Sequence, residues 1–141
     1  MEKYNVEYFI RKFNKIPNKL FTTQKFQDGN KYCAQGHCGI LSWSDICNAR
    51  EGEGSKEAVA LMNLSDHLLE EGQNLDEYSP IGRINNGDHS DYRQSTPKRR
   101  VLAALNDIKA KQEAKSIKER IVYVTVDEKV RQIQKEELIL N

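Results

Sequence analysis

Cysteine, histidine and glycine are concentrated in one short stretch, Cys33-Ala34-Gln35-Gly36-His37-Cys38-Gly39. If this Cys33–Gly39 segment is helical, Cys33 and His37 lie four positions apart on one face. A thiol beside an imidazole can act as a nucleophile with its base, as a metal-ligand pair, or as part of a packed interior. Glycine within a helix costs about 1 kcal/mol relative to alanine, so Gly36 and Gly39 predict that another backbone or a ligand approaches closely.

Thiol catalysis is the first chemical alternative. Cys33 or Cys38 would be the nucleophile, and a histidine, His37 or His89, would be the base. An aspartate beside His89 could orient the imidazole, and the two aspartates near it in the sequence are Asp88 and Asp91.

Metal binding is the second alternative, and its candidate ligands are Cys33, His37 and Cys47. A closed zinc site usually draws four ligands from two spaced pairs. Here the spacing is Cys-x3-His-Cys with Cys47 further along, and adjacent helical residues such as His37 and Cys38 point about 100° apart. We therefore expect no metal and no other cofactor.

Anion binding is the third alternative. Thr96-Pro97 predicts a helix start, and three cations follow in the first turn, where they oppose the helix dipole. Free N–H groups at that end attract phosphate, and a bound anion would offset the opposition. The predicted ligand-binding residues are Thr96, Lys98, Arg99 and Arg100, with Tyr92 and Arg93 available to stack on a base. The alternative is that this first helical turn is simply exposed, and that nearby carboxylates neutralise its positive charges.

The overall composition limits the possible function classes. The chain has 141 residues, a net charge of +1, three cysteines and a mean hydropathy of −0.77. No apolar run is long enough to span a membrane, and from the first residues we expect no signal peptide. A net charge near zero gives no whole-protein attraction to nucleic acid. We expect a cytoplasmic domain with reduced thiols.

Periodicity and capping signals predict an α+β fold, a mostly helical single domain with a small antiparallel sheet. Helices are predicted after the caps Asn5, Ser55, Ser79 and Thr96. A strand over 20–26 and a return strand over 31–33 predict a hairpin around Gln27–Asn30. The Cys33–Gly39 segment would then open a helix to about Leu41, and residues 42–54 would form a loop.

The C-terminal part differs in character. Residues 1–108 are predicted to form the compact α+β core, and residues 109–141 an extension that packs on the core or on a partner. In this extension Arg120–Val126 is rich in β-branched residues, which predicts a third strand that joins the sheet. Asp127 could cap a short last helix.

A second motif, Asn85-Asn86-Gly87-Asp88, is typical of a helix end and turn. Its side chains could fix that turn to the Gly36–Gly39 segment. We expect these side chains first of all to cap the helix and form the turn, and the sharper hypothesis is a structural hydrogen bond from this motif to His37. Cys33, Gly36, His37, Gly39, Asn85 and Asp88 are predicted to form one structural motif.

Two sequence blocks together resemble a group of small bacterial and bacteriophage proteins. The blocks are Gly29-x-x-Tyr32-Cys33-Ala34-x-Gly36-His37-x-Gly39 and Ile84-Asn85-x-Gly87-Asp88, the latter followed by Thr96-Pro97-Lys98-x-Arg100-Val101-x-x-Ala104-Leu105. They are similar to that group's Cys-Ala-x-Gly-His-x-Gly and Ile-Asn-Asp-Gly … Thr-Pro-Lys-x-Arg-Val-x-x-Ala-Leu patterns, with Asn86 at the position of the Asp. The resemblance covers residues 4–108 and implies a mobile-element or host-cytoplasm context, with no mechanism attached.

Three functional hypotheses follow. The leading one is a non-enzymatic accessory protein that binds a protein partner or a phosphate-bearing ligand, a nucleotide or nucleic acid. The second is a thiol-dependent hydrolase or transferase. The third is a structural component of a larger assembly such as a virion, which docks through residues 122–140 and could form homo-oligomers. No membrane partner is expected.

Overall fold

The computed structural model describes residues 3–70, 72–74 and 79–140, with side chains described as far as residue 119. The chain divides into two units, Met1–Lys109 and Ala110–Asn141. Helices dominate, and the sheet has two short antiparallel strands within the described residues. The predicted α+β class is therefore confirmed.

Helix α1 spans Val6–Lys15 and begins where the sequence predicts. The Asn5 side chain accepts a hydrogen bond from the Tyr8 N–H at 2.9 Å and so caps the first turn. Val6, Phe9 and Phe13 are buried, which is the apolar stripe expected from their spacing.

A hairpin follows, but its first strand lies after the predicted one and has only two residues. After a 3-10 turn over Asn18–Leu20 come strands β1, Gln27–Asp28, and β2, Lys31–Tyr32, which pair antiparallel. The predicted strand over 20–26 is wrong, because only Phe21 forms an isolated bridge, to Tyr32. Gln24 has a φ of +64°, which interrupts any extended run.

Helices α2, Ala34–His37, and α3, Trp43–Arg50, occupy the next segment. The prediction that α2 reaches Leu41 is wrong, because Gly39 has a φ of +85° and ends the turn. The predicted loop over 42–54 is also wrong over most of its length. Ser42 accepts from the Asp45 N–H at 3.1 Å and starts α3 as an N-cap.

Helices α4, Lys56–Asp66, and α5, Pro80–Asn86, begin at the predicted caps. Ser55 accepts from the Ala58 N–H at 3.1 Å, and Ser79 accepts from the Gly82 N–H at 3.4 Å. Gly87 ends α5 in a left-handed conformation, φ +84°.

Helix α6 spans Pro97–Leu140 and begins after the predicted cap Thr96. The predicted third strand over 120–126 and a separate helix after Asp127 are therefore wrong. The β-branched residues of 121–126 disfavour a helix only slightly. They are flanked by lysine, glutamate, glutamine and alanine residues, which are good helix formers.

The core of the first unit lies between the helices. The largest apolar side chains that are almost fully buried are Phe9, Phe13, Ile40, Ile46, Leu61, Met62, Ile81, Ile84, Val101 and Leu105. No helix in the described part of the chain combines the length and apolarity that a bilayer crossing requires.

Candidate functional site

Cys33 stands at the entrance to α2. Its backbone is extended, with φ −73° and ψ 174°, and its Sγ accepts from the Gly36 N–H at 3.4 Å as a cap. Cys33 is therefore outside the helix, and the predicted helical face shared with His37 is wrong.

Gly36 lies where another part of the backbone approaches α2. A Cβ at Gly36 would be 2.3 Å from the Phe26 carbonyl oxygen and 3.1 Å from Tyr32. The expected close approach is therefore present at Gly36. At Gly39 the reason is different, because a Cβ there would have no neighbour within 4 Å, and the positive φ is what favours glycine.

His37 belongs to the packing of the hairpin. Its Nε2 lies 2.9 Å from the Leu20 carbonyl oxygen, and its ring centroid is 4.9 Å from that of Phe21 and 5.3 Å from that of Tyr32. Burial lowers the pKa of His37, with the bond to Leu20 acting in the opposite direction. The imidazole therefore packs as a neutral aromatic group at neutral pH.

Asn85 joins three parts of the chain. Its Oδ1 accepts from the Ala34 N–H at 3.0 Å, and its Nδ2 donates to the Thr22 carbonyl at 2.8 Å. The turn is therefore linked to Ala34 at the start of α2. The predicted attachment to the Gly36–Gly39 segment through His37 is wrong, because the His37 Nε2 lies against the Leu20 carbonyl oxygen. Asp88 is exposed, and its main-chain N–H donates to the Arg83 carbonyl at 2.9 Å.

The two buried thiols are poorly placed for nucleophilic chemistry. Burial raises the pKa of Cys33 and of Cys38, and the neighbouring Glu57 carboxylate raises that of Cys38 further. Cys47 is exposed. A thiolate is the reactive form, so both buried thiols are inert at neutral pH.

His89 is buried and both of its ring nitrogens have partners. Nε2 lies 3.0 Å from the Leu68 carbonyl oxygen, and Nδ1 accepts from the Asp91 N–H at 3.1 Å. Among the described residues no cysteine is hydrogen-bonded to a histidine, so the predicted nucleophile–base pair is not assembled.

A metal site is not assembled either. Within the described residues, no group of three or more His, Cys, Asp or Glu side chains lies close enough to hold an ion. The candidates Cys33 and His37 have the partners given above, and Cys47 is exposed on α3.

Arg100 was predicted to bind an anion, but in the structure it bonds main-chain carbonyls of the protein itself. Its guanidinium donates to the Ile84, Asn85 and Gln94 carbonyls at 3.0, 2.7 and 2.8 Å. The residue is 8% exposed, and burial lowers its pKa. A cation at the last carbonyls of a helix complements the helix dipole, so Arg100 stabilises the end of α5.

Tyr92, which was also predicted to contact the ligand, is buried. It is 6% exposed, its hydroxyl donates to Asp107 Oδ2 at 2.8 Å, and its ring packs on His89. The prediction that it stacks on a base is therefore wrong in this structure.

The other predicted anion-binding residues are accessible. Thr96 Oγ1 accepts from the Arg99 N–H at 3.3 Å, and the Arg99 side chain is exposed. Lys98 Nζ donates to the Asn14 carbonyl at 2.9 Å, and Arg93 Nε donates to the Ser90 carbonyl at 3.1 Å. Lys98 thus contacts the end of α1, where Lys15 is exposed, and the exposed Arg99 follows it in the first turn of α6.

A cleft that was not predicted opens between the 22–26 segment, α2 and α5. Its volume is about 120 Å³, and its lining residues are Gln24, Lys25, Phe26, Cys33, Gln35, Gly82 and Asn86. One signal for the cleft is visible in the sequence, the glycine Gly82 within α5. The other lining residues come together through contacts distant in sequence, such as the bond from the Gln24 N–H to Asn86 Oδ1 at 2.8 Å.

Comparison with known proteins gives no match to this chain among protein-family models, curated proteins or solved structures.

Proposed function

We propose that this is a non-enzymatic accessory protein that binds a phosphate-bearing ligand, a nucleotide or nucleic acid. The binding surface is the cationic edge, formed by Arg11 and Lys15 of α1 and by Lys98 and Arg99 of α6. The bacterial or phage setting implied by the sequence resemblance is part of the same proposal.

The observation that carries this proposal is the contact between Lys98 Nζ and the Asn14 carbonyl, 2.9 Å long. It holds the start of α6 beside the end of α1. A second contact, Lys109 Nζ to Glu7 Oε1 at 3.7 Å, joins the same two helices near the other end of α1. The helices therefore run antiparallel, and their basic residues meet at one end.

The charges of the cationic edge are not neutralised internally. Arg11, Lys15 and Arg99 are exposed and Lys98 is half-buried. Within the described residues none of the four is in an ion pair with a carboxylate. Four uncompensated cations at neighbouring helix ends favour a ligand with several negative charges.

The buried thiols support a binding function over the enzymatic alternative. Cys33 and Cys38 are buried with raised pKa values, and the buried histidine His89 is bonded to main-chain groups on both nitrogens. Acid–base or nucleophilic chemistry requires reachable groups near their working pKa.

A protein partner is the second candidate, and one observation favours it. Leu41 and Trp43 are large apolar side chains at the start of α3, and they are 47% and 41% exposed. Arg50 lies over the Trp43 ring at 5.8 Å. Tryptophan and arginine are common anchors of protein interfaces. An assembly role through residues 122–140 concerns side chains outside the described part.

Fluorescence anisotropy with labelled single-stranded and double-stranded DNA at low salt tests the proposal. We expect wild-type binding that weakens as salt rises, because phosphate contacts release counterions. The double variant Lys98→Ala/Arg99→Ala should bind about tenfold more weakly, with a shallower salt dependence.

The control is Lys31→Ala/Lys56→Ala, which removes the same charge from two exposed positions on other elements. Equal affinity of the two double variants would overturn the proposed surface. Absence of wild-type binding to either DNA would overturn the proposed ligand class.

A further inference from the structure

The cleft beside α5 has polar groups that converge on a small space. Gln35 is 3% exposed, and its Nε2 donates to Ser79 Oγ at 2.6 Å and lies 3.6 Å from Met62 Sδ. Its nitrogen is therefore engaged, which leaves Oε1 as an acceptor. This oxygen lies beside Gly82, since a Cβ on that glycine would be 3.0 Å away from it.

Asn86 contributes a donor on the other side. Its Oδ1 accepts from the Gln24 N–H at 2.8 Å and from Asn85 Nδ2 at 3.4 Å. With Oδ1 engaged, the Nδ2 of Asn86 is the end available to donate. The lining of the cleft thus carries an amide acceptor on α2 and an amide donor on α5.

Gln24 is held in an unfavourable backbone conformation at the mouth of the cleft. A φ of +64° is rare for a residue with a side chain, and here the Gln24 N–H bond to Asn86 maintains it. Strained residues of this kind concentrate at binding sites, where the surrounding structure holds them in place. Gln24 and the two residues after it, Lys25 and Phe26, all line the cleft.

We propose that this cleft binds the pyrimidine ring of a nucleotide, with Lys25 paired to the phosphate. The inference rests on the proposed function and names the part of the ligand that is recognised. The nucleotide can be free or part of a single strand, since the ring and phosphate chemistry is the same in both.

The ring size follows from the volume. A space of about 120 Å³ is comparable to the engineered cavity of roughly 150 Å³ that holds benzene in another protein, so it suits one six-membered ring and is small for a fused purine. Phe26 supplies an aromatic wall, and bases stack on aromatic side chains irrespective of sequence.

The hydrogen-bonding pattern follows from the two amides. Gln35 Oε1 requires a donor, and Asn86 Nδ2 requires an acceptor. The N–H and C=O groups of uracil or thymine, or the amino group and ring nitrogen of cytosine, present such a pair on one edge. The Lys25 ammonium supplies the only full positive charge among the lining residues in the described part of the chain, and it pairs with a phosphate as a point charge.

Nuclear magnetic resonance titration of the full chain tests the inference. The probes are UMP, AMP, ribose 5-phosphate and oligothymidylate. We expect UMP to shift the amide signals of Gln24, Lys25 and Asn86 and to bind about fivefold more tightly than AMP or ribose 5-phosphate, because the cleft is small for a fused purine and ribose 5-phosphate has no base to stack on Phe26. Oligothymidylate that binds more tightly than UMP would identify a strand as the source of the ring, and equal affinity would identify the free nucleotide.

Lys25→Ala should weaken UMP binding about fivefold, while Lys31→Ala, an exposed lysine outside the cleft, should leave it unchanged. Phe26→Leu keeps an apolar side chain and should lose stacking, with a similar effect. Unchanged cleft signals at millimolar UMP, equal affinity for AMP, or equal affinity of the Lys25→Ala and Lys31→Ala variants would each overturn the inference.

The same variants separate this inference from the proposed function. If the Lys98→Ala/Arg99→Ala variant loses DNA binding and Lys25→Ala does not affect UMP, the cationic edge stands and the cleft inference fails. If Lys25→Ala affects UMP and Lys98→Ala/Arg99→Ala leaves DNA binding unchanged, the cleft stands and the cationic edge fails.

Discussion

Asn85 and Ala34 are 51 positions apart in the chain, yet the Asn85 Oδ1 accepts the Ala34 N–H at 3.0 Å in the interior. Ala34 opens α2, so its N–H has no partner within that helix. Asn85 is fully buried in the last turn of α5, and its Nδ2 also donates to Thr22. One side chain therefore satisfies main-chain groups of two different segments.

Asn85→Ala should lower the free energy of unfolding by about 2–4 kcal/mol, because an unsatisfied buried group such as the Ala34 N–H costs roughly 1–3 kcal/mol and the partly buried Thr22 carbonyl adds a smaller loss. Urea unfolding followed by circular dichroism measures the change. Asn63→Ala is the matched control, since Asn63 is exposed on α4 and alanine favours helix. A loss at Asn85 no larger than at Asn63 would contradict the bridging role.

Gly36→Ala and Gly39→Ala should both lower the stability of the folded protein, for different reasons and by different amounts. At Gly36 the new Cβ would meet the Phe26 carbonyl oxygen at 2.3 Å, and moving that backbone should cost about 2–3 kcal/mol. At Gly39 the space is open and only the φ of +85° is unfavourable, which costs about 1 kcal/mol. Thermal melts of both variants give the order, and a larger loss at Gly39 would disprove the close-approach argument.

The three thiols should react differently with iodoacetamide. At neutral pH we expect Cys47 to be alkylated in the folded protein and Cys33 and Cys38 to be protected, because both are buried with a raised pKa. Unfolding in guanidinium should expose all three, which serves as the control. Mass spectrometry locates the adducts, and rapid labelling of Cys33 or Cys38 in the native state would restore the enzymatic hypothesis.

Glu57 should make stability depend on acid pH. Burial raises its pKa, but hydrogen bonds from Lys12 and Tyr8 outweigh burial, and the pKa is lowered from 4.5. The Tyr8 hydroxyl donates to Glu57 Oε2 at 2.9 Å, and burial followed by this bond raises the pKa of Tyr8 to about 12. A lowered carboxylate pKa stabilises the fold above about pH 4.5, and this contribution is lost as pH falls through the folded-state pKa.

Glu57→Gln should therefore lose about 1 kcal/mol near neutral pH and differ less from wild type at about pH 3. Urea midpoints across this range measure the difference. The control is Glu53→Gln, at an exposed position before α4. A difference between Glu57→Gln and wild type that is constant with pH would show that the carboxylate charge is not involved.

Local capping chemistry explains what the sequence predicts well. Asn5, Ser55, Ser79 and Thr96 each bond a main-chain N–H three positions ahead, so the start of each helix depends on residues that are adjacent in the sequence. Pro80 at the start of α5 and Gly87 at its end act over the same short range.

The incorrect elements depend on information that short windows lack. Helix α3 buries Ile46 and Ala49 and leaves Trp43 exposed, so it shows a weak apolar stripe. The run over 120–126 is rich in residues that favour strands. Good helix formers flank it on both sides, however, and helix α6 continues through it.

The predicted site was partly wrong because burial of polar groups is not visible in a sequence. Arg100 and Arg99 are adjacent and chemically identical, yet one bonds three main-chain carbonyls in the interior and the other is exposed. Which arginine is available depends on the position of α5, which is set by packing. The cleft residue Gln35 is hidden for the same reason, since its partner Ser79 is 44 positions away.

The bonds of Arg100 also affect the connection between α5 and α6. The guanidinium holds Asn85, before the connection, and Gln94, near its end, so the two ends of the loop are tied together at its base. Exposed residues between them, such as Asp91 and Arg93, can then vary without separating the helices. The entropic cost of closing the loop grows slowly with its length. Insertions near Asp91 should therefore be tolerated as long as the Arg100 bonds to Asn85 and Gln94 and the buried Tyr92 are kept.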